Sequence, residues 1–219
     1  MPQENPTIWK DGVPVSARWE DPYYSLGGGA AEAAHVFLAG NGLPGRLRQG
    51  FHVAELGFGT GLNALVLARA WAETGRAGTL RMTSFEAFPL SRADMARALA
   101  AFPELSDLAG ALLGQWPSPR VALPGLDLQV VEGDARETVP RWDGAADAWF
   151  LDGFAPARNP EMWEPALLAA VAARTVPGGT FATYSAAGHV RRALEAAGFR
   201  VERAPGFAGK RHMSRGLLP

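Results

Sequence analysis

The chain contains no cysteine, which removes disulfides, thiolate nucleophiles and cysteine-based zinc sites together. Histidine is almost as scarce, with only His35, His52, His189 and His212. None of the four is spaced from another as HxxxH or HExxH, so no metal is expected. No apolar run approaches the roughly 18 residues needed to cross a bilayer. The opening Met1-Pro2-Gln3-Glu4-Asn5-Pro6 lacks the apolar stretch of a signal peptide. No membrane association and a cytoplasmic setting are the expectations. A net charge of −1 gives no body-wide attraction to nucleic acid.

What is present is enough apolar residue, 47% of a 219-residue chain, to bury a substantial core in one large domain. Glycine is abundant and, in one place, concentrated. Glu55-Leu56-Gly57-Phe58-Gly59-Thr60-Gly61 follows the apolar run Phe51-His52-Val53-Ala54 and leads into Leu62-Asn63-Ala64-Leu65-Val66-Leu67. A buried strand, a glycine turn and an apolar-striped helix open a nucleotide-binding α/β unit. Glycines let the backbone turn tightly and approach a ligand more closely than a Cβ allows, and the helix start offers free amides to that ligand. A P-loop would need Gly-Lys-Ser/Thr, but Leu62-Asn63 follows Gly61. A dinucleotide fingerprint places its third glycine three residues after the second. The G-x-G-x-G spacing with a preceding acid resembles motif I of class I methyltransferases, which bind S-adenosylmethionine; an NAD-type site is the competing reading.

Further elements follow in βαβ rhythm. Thr7–Lys10, Asp11-Gly12 and Val13–Val15 read as a hairpin, since Asp-Gly supplies positive φ angles. Asp21–Ser25 is an aromatic loop, and Gly29–Ala39 reads as a helix ending at Gly40-Asn41-Gly42. Strands are expected over residues 80–86, 126–131, 146–151, 180–185 and 199–203. Helices are expected over 91–102, 163–174 and 187–197, the second stopping at Pro177-Gly178-Gly179. The fold class is therefore α/β, Rossmann-like, with a doubly wound and mostly parallel sheet. Residues 1–50 form a small hairpin-and-helix appendage packed on a 51–219 core. The Pro103–Gly125 segment is a long connection placed beside the site.

Ligands in such sheets lie beyond the carboxyl ends of the strands, and acids close three of them. Glu86 stands where a carboxylate accepts ribose hydroxyls, with Ala87 after it; its bland alternative is a loop carboxylate. Gly133-Asp134-Ala135 closes the 126–131 strand, and an acid in a surface loop is cheap. Asp152 closes the 146–151 strand ahead of Gly153-Phe154-Ala155-Pro156. A carboxylate at the mouth of a sheet is costly unless bonded or functional; the alternative is a cap on the Asn159–Trp163 turn. Charge is also uneven. Residues 185–219 carry seven Lys/Arg against Glu195 and Glu202, whereas the remainder sums to −6. The two readings are a solvated basic tail and a phosphate-binding face.

Several longer strings narrow the possibilities: Gly57-Phe58-Gly59-Thr60-Gly61-Leu62-Asn63, Ser84-Phe85-Glu86-Ala87-Phe88-Pro89-Leu90, Asp147–Ala157, Asn159-Pro160-Glu161-Met162-Trp163, Ser185–Gly188 and Gly206-Phe207 before Lys210-Arg211. In these strings the chain resembles the tRNA 5-methylaminomethyl-2-thiouridine methyltransferases (MnmD, or the N-terminal half of bifunctional MnmC). Tyr184 and His189 stand where that family often has Phe. The resemblance implies methyl transfer from S-adenosylmethionine to the primary amine of 5-aminomethyl-(2-thio)uridine at the tRNA wobble position. It implies cofactor contacts by Glu55, Gly57, Phe58, Gly59, Thr60, Gly61, Asn63, Glu86, Ala87, Gly133, Asp134, Ala135 and Asp152, with Asp134 at the adenine. Asp152 is the expected catalytic carboxylate, as a base or as an electrostatic partner. Tyr23, Tyr24 and Phe154 are candidates to stack on a splayed-out uridine, although Tyr24 suits core packing equally. Arg158, Arg191, Arg192, Lys210 and Arg211 are candidates for tRNA. A monomer is expected, and, as the chain ends at Pro219, no flavin oxidase. The alternatives are a methyltransferase for a small amine or carboxylate, and an RNA-binding module without catalysis.

Overall fold

The computed structural model describes residues 6–25 and 28–219, so residues 1–5, 26 and 27 of the expected N-terminal appendage lie outside the described residues. Strands β1 (Thr7–Lys10) and β2 (Val13–Ser16) form the expected hairpin, turning through Asp11 and Gly12 with φ of 48° and 79°. Helix α1 (Gly29–Ala33) continues through a π-turn at Ala34–Leu38 and a 3₁₀ turn at Ala39–Asn41, and Gly42 at φ 69° ends it.

The core is an eight-stranded sheet. Its strands are β3 (His52–Leu56), β4 (Leu80–Glu86), β5 (Arg120–Leu123), β6 (Leu126–Glu132), β7 (Ala146–Leu151), β8 (Thr175–Thr183), β9 (Arg200–Pro205) and β10 (His212–Leu217), in the order β5-β6-β4-β3-β7-β8-β10-β9. The five from β6 to β8 run parallel; β5 joins one edge antiparallel, and β10 and β9 finish the other. The interleaved helices are α2 (Leu62–Glu73), α3 (Arg92–Leu99), α4 (Ser106–Gln115), α5 (Ala135–Arg141), α6 (Pro165–Ala173) and α7 (Gly188–Ala196). The first strand, β3, is buried at all five positions, as a central parallel strand covered on both faces must be. Apolar residues on its two sides belong to separate clusters: Val53 packs with Leu65, Met82 and Phe150, and Ala54 and Leu56 with Phe85, Trp149 and Leu168.

Chain order reverses at β3, with β4 and β6 on one side and β7 and β8 on the other. That switch point opens a crevice at the carboxyl ends of β3, β4 and β7.

Three elements differ from the sequence expectation, besides α5 and β10, which it did not include. Pro177-Gly178-Gly179 does not follow a helix. It lies inside β8, which starts at Thr175, and the β7–β8 register shifts between Ala146 and Ala148. The helix expected over 163–174 is a 3₁₀ turn at Pro160–Trp163 followed by α6, because Pro165 restarts the helix at its first position. The 103–125 connection is ordered into α4 and β5, and it reaches the glycine turn: Phe58 stacks on Trp116 with centroids 5.3 Å apart.

Candidate functional site

The glycine turn between β3 and α2 has positive φ at Gly57 (82°), Gly59 (52°) and Gly61 (81°). At two of these positions a side chain would also be crowded. A Cβ on Gly59 would stand 3.2 Å from Tyr23 Cδ1, and one on Gly61 2.8 Å from Leu112 Cδ2. Gly57 and Gly59 therefore present bare backbone to a cavity of about 780 Å³, within the range of small-molecule sites.

Strand ends supply its polar groups. Glu86, at the end of β4, accepts the Gly59 N–H on Oε2 (3.0 Å) and the Phe88 N–H on Oε1 (2.8 Å). Burial pushes its carboxyl above the ordinary range, against those amides. Asp134 caps α5, accepting from the Arg136 N–H at 2.9 Å and pairing with its guanidinium at 2.7 Å, and that bonding holds its carboxyl below the usual range.

Asp152, at the end of β7, accepts the Gly153 N–H on Oδ1 at 2.8 Å and the Asn63 amide on Oδ2 at 2.9 Å. Burial raises its pKa to about 6; the Gly153 and Asn63 bonds oppose this, Glu32 adds to it and Lys210 subtracts from it. Asn63 is held in turn. Its amide nitrogen also donates to Glu55 Oε1 at 2.8 Å, while the Ser84 hydroxyl donates to Glu55 Oε2 at 2.6 Å. Glu55 is 0% exposed, and burial drives its carboxyl well above the normal range.

The expected cofactor residues divide accordingly. Gly57, Phe58, Gly59, Thr60, Asn63, Glu86, Ala87, Asp134, Ala135 and Asp152 line the cavity. Glu55, Gly61 and Gly133 do not: Glu55 lies beneath the turn and acts on the cavity through Asn63, and the two glycines shape the backbone behind it.

The expected substrate residues divide too. Tyr23, Tyr24, Phe154 and Lys210 line the cavity, but Arg158, Arg191, Arg192 and Arg211 do not. Tyr24 combines both readings, facing the cavity while its hydroxyl donates to the Ala98 carbonyl and its ring meets Phe102. Arg158 ties two loops together, donating to the carbonyls of Trp19 (3.1 Å) and Glu20 (2.7 Å). With the Ala155 N–H donating to Asp21 Oδ2 at 2.7 Å, it fixes the N-terminal loop over the cavity. Arg192 and Arg211 are exposed, whereas Arg191 is half-buried, its Nε without a partner among the described residues.

Sequence reasoning did not find Trp19, Asp21, Glu32 or Phe88, which also line the cavity, nor give Tyr184 a role there. Trp19 stacks on Phe154 at 4.9 Å and meets Phe88 edge-on at 5.4 Å, so an aromatic wall stands beside the carboxylates. Tyr184 donates its hydroxyl to the Gly153 carbonyl at 2.7 Å. The Asp-Pro-Tyr-Tyr string was the one available signal for this loop; Glu32 carried none.

Residues 103–219 match the model of the S-adenosyl-L-methionine-dependent methyltransferase family. Among curated proteins, the chain is 50% identical over 226 residues to the tRNA 5-methylaminomethyl-2-thiouridine biosynthesis bifunctional protein MnmC of Caulobacter vibrioides, covering 98% of this chain and 38% of that protein. It is 48% identical over 216 residues to the protein of the same description from Aromatoleum aromaticum, covering 94% and 34% respectively. The chain thus spans well under half the length of these relatives. Among solved structures, MNMC2 from Aquifex aeolicus superposes with a TM-score of 0.83 at 25% identity, covering 99% of this chain and 72% of that one.

Proposed function

Because the chain belongs to the S-adenosyl-L-methionine-dependent methyltransferase family, we propose that its acceptor is the primary amine of 5-aminomethyl-2-thiouridine at the wobble position of tRNA, giving the 5-methylaminomethyl nucleoside. The curated relatives' description supports this acceptor. The observation that carries it is the acceptor side of the cavity, where Asp21, Glu32 and Asp152 stand beside the Trp19–Phe154–Phe88 aromatic wall. Carboxylates suit an acceptor that is cationic before and after reaction, and aromatic faces suit a planar base turned out of its stack. A carboxylate acceptor, one of the two small-molecule alternatives, would meet like charge there.

The residues fit the cofactor. The turn with positive-φ Gly57 and Gly59, the Glu86 carboxylate at the end of β4 and Asp134 after β6 line one continuous cavity. In this reading Gly57–Thr60 accommodate the cofactor's amino-acid portion with Asn63 and Asp152, Glu86 accepts the ribose hydroxyls, and Asp134 and Ala135 border the adenine. When bound, S-adenosylmethionine supplies a methyl group made electrophilic by its sulfonium.

The chain contributes position and charge. Asn63 and Gly153 fix both oxygens of Asp152, so its remaining lone pairs are aimed without further ordering. An alkylammonium is a much weaker acid than Asp152 at about 6. Full proton transfer to Asp152 is therefore unfavourable. Asp152 instead accepts the acceptor's N–H bonds and stabilises the positive charge that grows on nitrogen. Arg191, Arg192 and Arg211 extend the reading to the RNA backbone, and the compartment is the cytoplasm. Among the described residues no helix is long and apolar enough to cross a membrane, and no group of three or more His, Asp or Glu is placed to hold a metal.

Incubating the chain with methyl-labelled S-adenosylmethionine and tRNA bearing the aminomethyl group tests this. Label should enter that tRNA and not tRNA with an unmodified wobble uridine. Equal labelling of the free nucleoside would favour the small-amine alternative.

A further inference from the structure

One cation already occupies the acidic side of the cavity. Lys210, in the turn between β9 and β10, reaches across to α1, and its Nζ lies 2.6 Å from Glu32 Oε1. The same ammonium stands over the Tyr184 ring, 4.9 Å from its centroid. Lys210, Glu32, Tyr184 and Asp152 all line the one cavity. The charges of Glu32 and Lys210 are both felt at Asp152, in opposite directions. Tyr184 is bonded to the carbonyl of the residue that follows Asp152.

A carboxylate and an aromatic face, arranged around a primary alkylammonium, form a receptor for that chemical group. Under the acceptor proposed above, on which this inference rests, the substrate carries the same group at neutral pH. We infer that Lys210 is an internal stand-in for the acceptor: its ammonium fills the Glu32–Tyr184 subsite until the substrate's aminomethyl group displaces it, and Glu32 is the residue that selects a cationic acceptor.

Displacement is cheap. The Lys210 side chain is 48% exposed and that of Glu32 13% exposed, and ion pairs with an exposed partner are weak, so water and salt compete for the lysine. A substrate anchored elsewhere through its RNA loses little in evicting it.

The test is steady-state kinetics with aminomethyl-bearing tRNA on the wild type and on Lys210→Met, which keeps the aliphatic stem and removes the charge. The inference requires KM for tRNA to fall by about two- to fivefold, the span of a partly exposed ion pair. Glu32→Gln should raise KM, and the double variant should match Glu32→Gln alone, since the stand-in has no partner left. Lys210→Arg, which keeps a cation on Glu32, should not show the fall in KM, and thermal melting reports whether each variant is folded. A higher KM for Lys210→Met with a flatter salt dependence would make Lys210 a phosphate contact and overturn the inference. So would an unchanged KM. If wild-type protein binds S-adenosylmethionine yet does not methylate the aminomethyl tRNA, the acceptor reading fails and this inference with it. If the wild type methylates it and only the Lys210→Met result is absent, the acceptor reading stands.

Discussion

The Asn63 amide nitrogen lies 2.9 Å from Asp152 Oδ2, and the same nitrogen lies 2.8 Å from Glu55 Oε1. One neutral side chain thus separates two carboxylates that would otherwise face each other across the start of α2. The charge of Asp152 is among the causes that push the Glu55 carboxyl up, after burial. Asn63→Asp would replace the donor with a third carboxylate. The expected result is a slower enzyme in which the acid break of the pH–rate profile moves above its wild-type position near pH 6. A break left in place would show that Asn63 does not govern Asp152.

Asp152→Asn keeps the shape and removes the charge. Methyl transfer should slow by roughly 10²-fold or more, as when a positioned catalytic group is lost, while affinity for S-adenosylmethionine measured by calorimetry changes much less. The pH profile adds a sharper criterion. A carboxyl with a raised pKa is uncharged below that value, so the active form is lost as pH falls through about 6. The acceptor amine also has to lose a proton, which alone gives a log(kcat/KM) slope of about one over this range. Wild type should therefore show a slope near two below pH 6 and near one above it. Asp152→Asn should show a slope near one throughout.

Gly59→Val should abolish cofactor binding without unfolding the chain. The position has φ 52°, and a Cβ there would press on Tyr23 at 3.2 Å and project into the cavity. Calorimetry with S-adenosylmethionine, beside circular dichroism, checks both halves. Unchanged affinity would move the cofactor away from this turn.

Much of this site was legible in the sequence because it is local. The glycine turn, Glu86 and Asp152 each sit at the end of an apolar strand, where periodicity and turn chemistry locate a residue without knowledge of the rest of the fold. Glu55 was placed on the cofactor by the same pattern, and there the pattern ran short: at full burial, its side chain bonds Asn63 and Ser84 beneath the turn. The acceptor side was not legible. Glu32 and Lys210 are 178 positions apart, and Lys210 is placed by the β9–β10 turn, although β10, His212-Met213-Ser214-Arg215-Gly216-Leu217, has little intrinsic strand character. Its strand state comes from pairing with β8 and β9, which no local signal reports.

The C-terminal arginines should carry the electrostatic part of RNA binding. Arg192 and Arg211 are exposed, and Arg211 is next in sequence to the cavity's Lys210. Replacing both by alanine should raise the tRNA KM and flatten the dependence of log affinity on log salt, by somewhat under one unit for each phosphate that is no longer neutralised. S-adenosylmethionine affinity should not move, since neither residue lines the cavity. An unaltered salt slope would direct the search for the RNA surface to the hairpin around Trp9–Arg18.

The most direct measurement is nucleoside mass spectrometry of tRNA carrying 5-aminomethyl-2-thiouridine after incubation with the purified chain and S-adenosylmethionine. The predicted result is conversion of that nucleoside to its 5-methylaminomethyl form, at the wobble position alone, lost in Asp152→Asn. Methylation of a ribose or of another base, or an unchanged nucleoside in the presence of bound cofactor, would contradict the account.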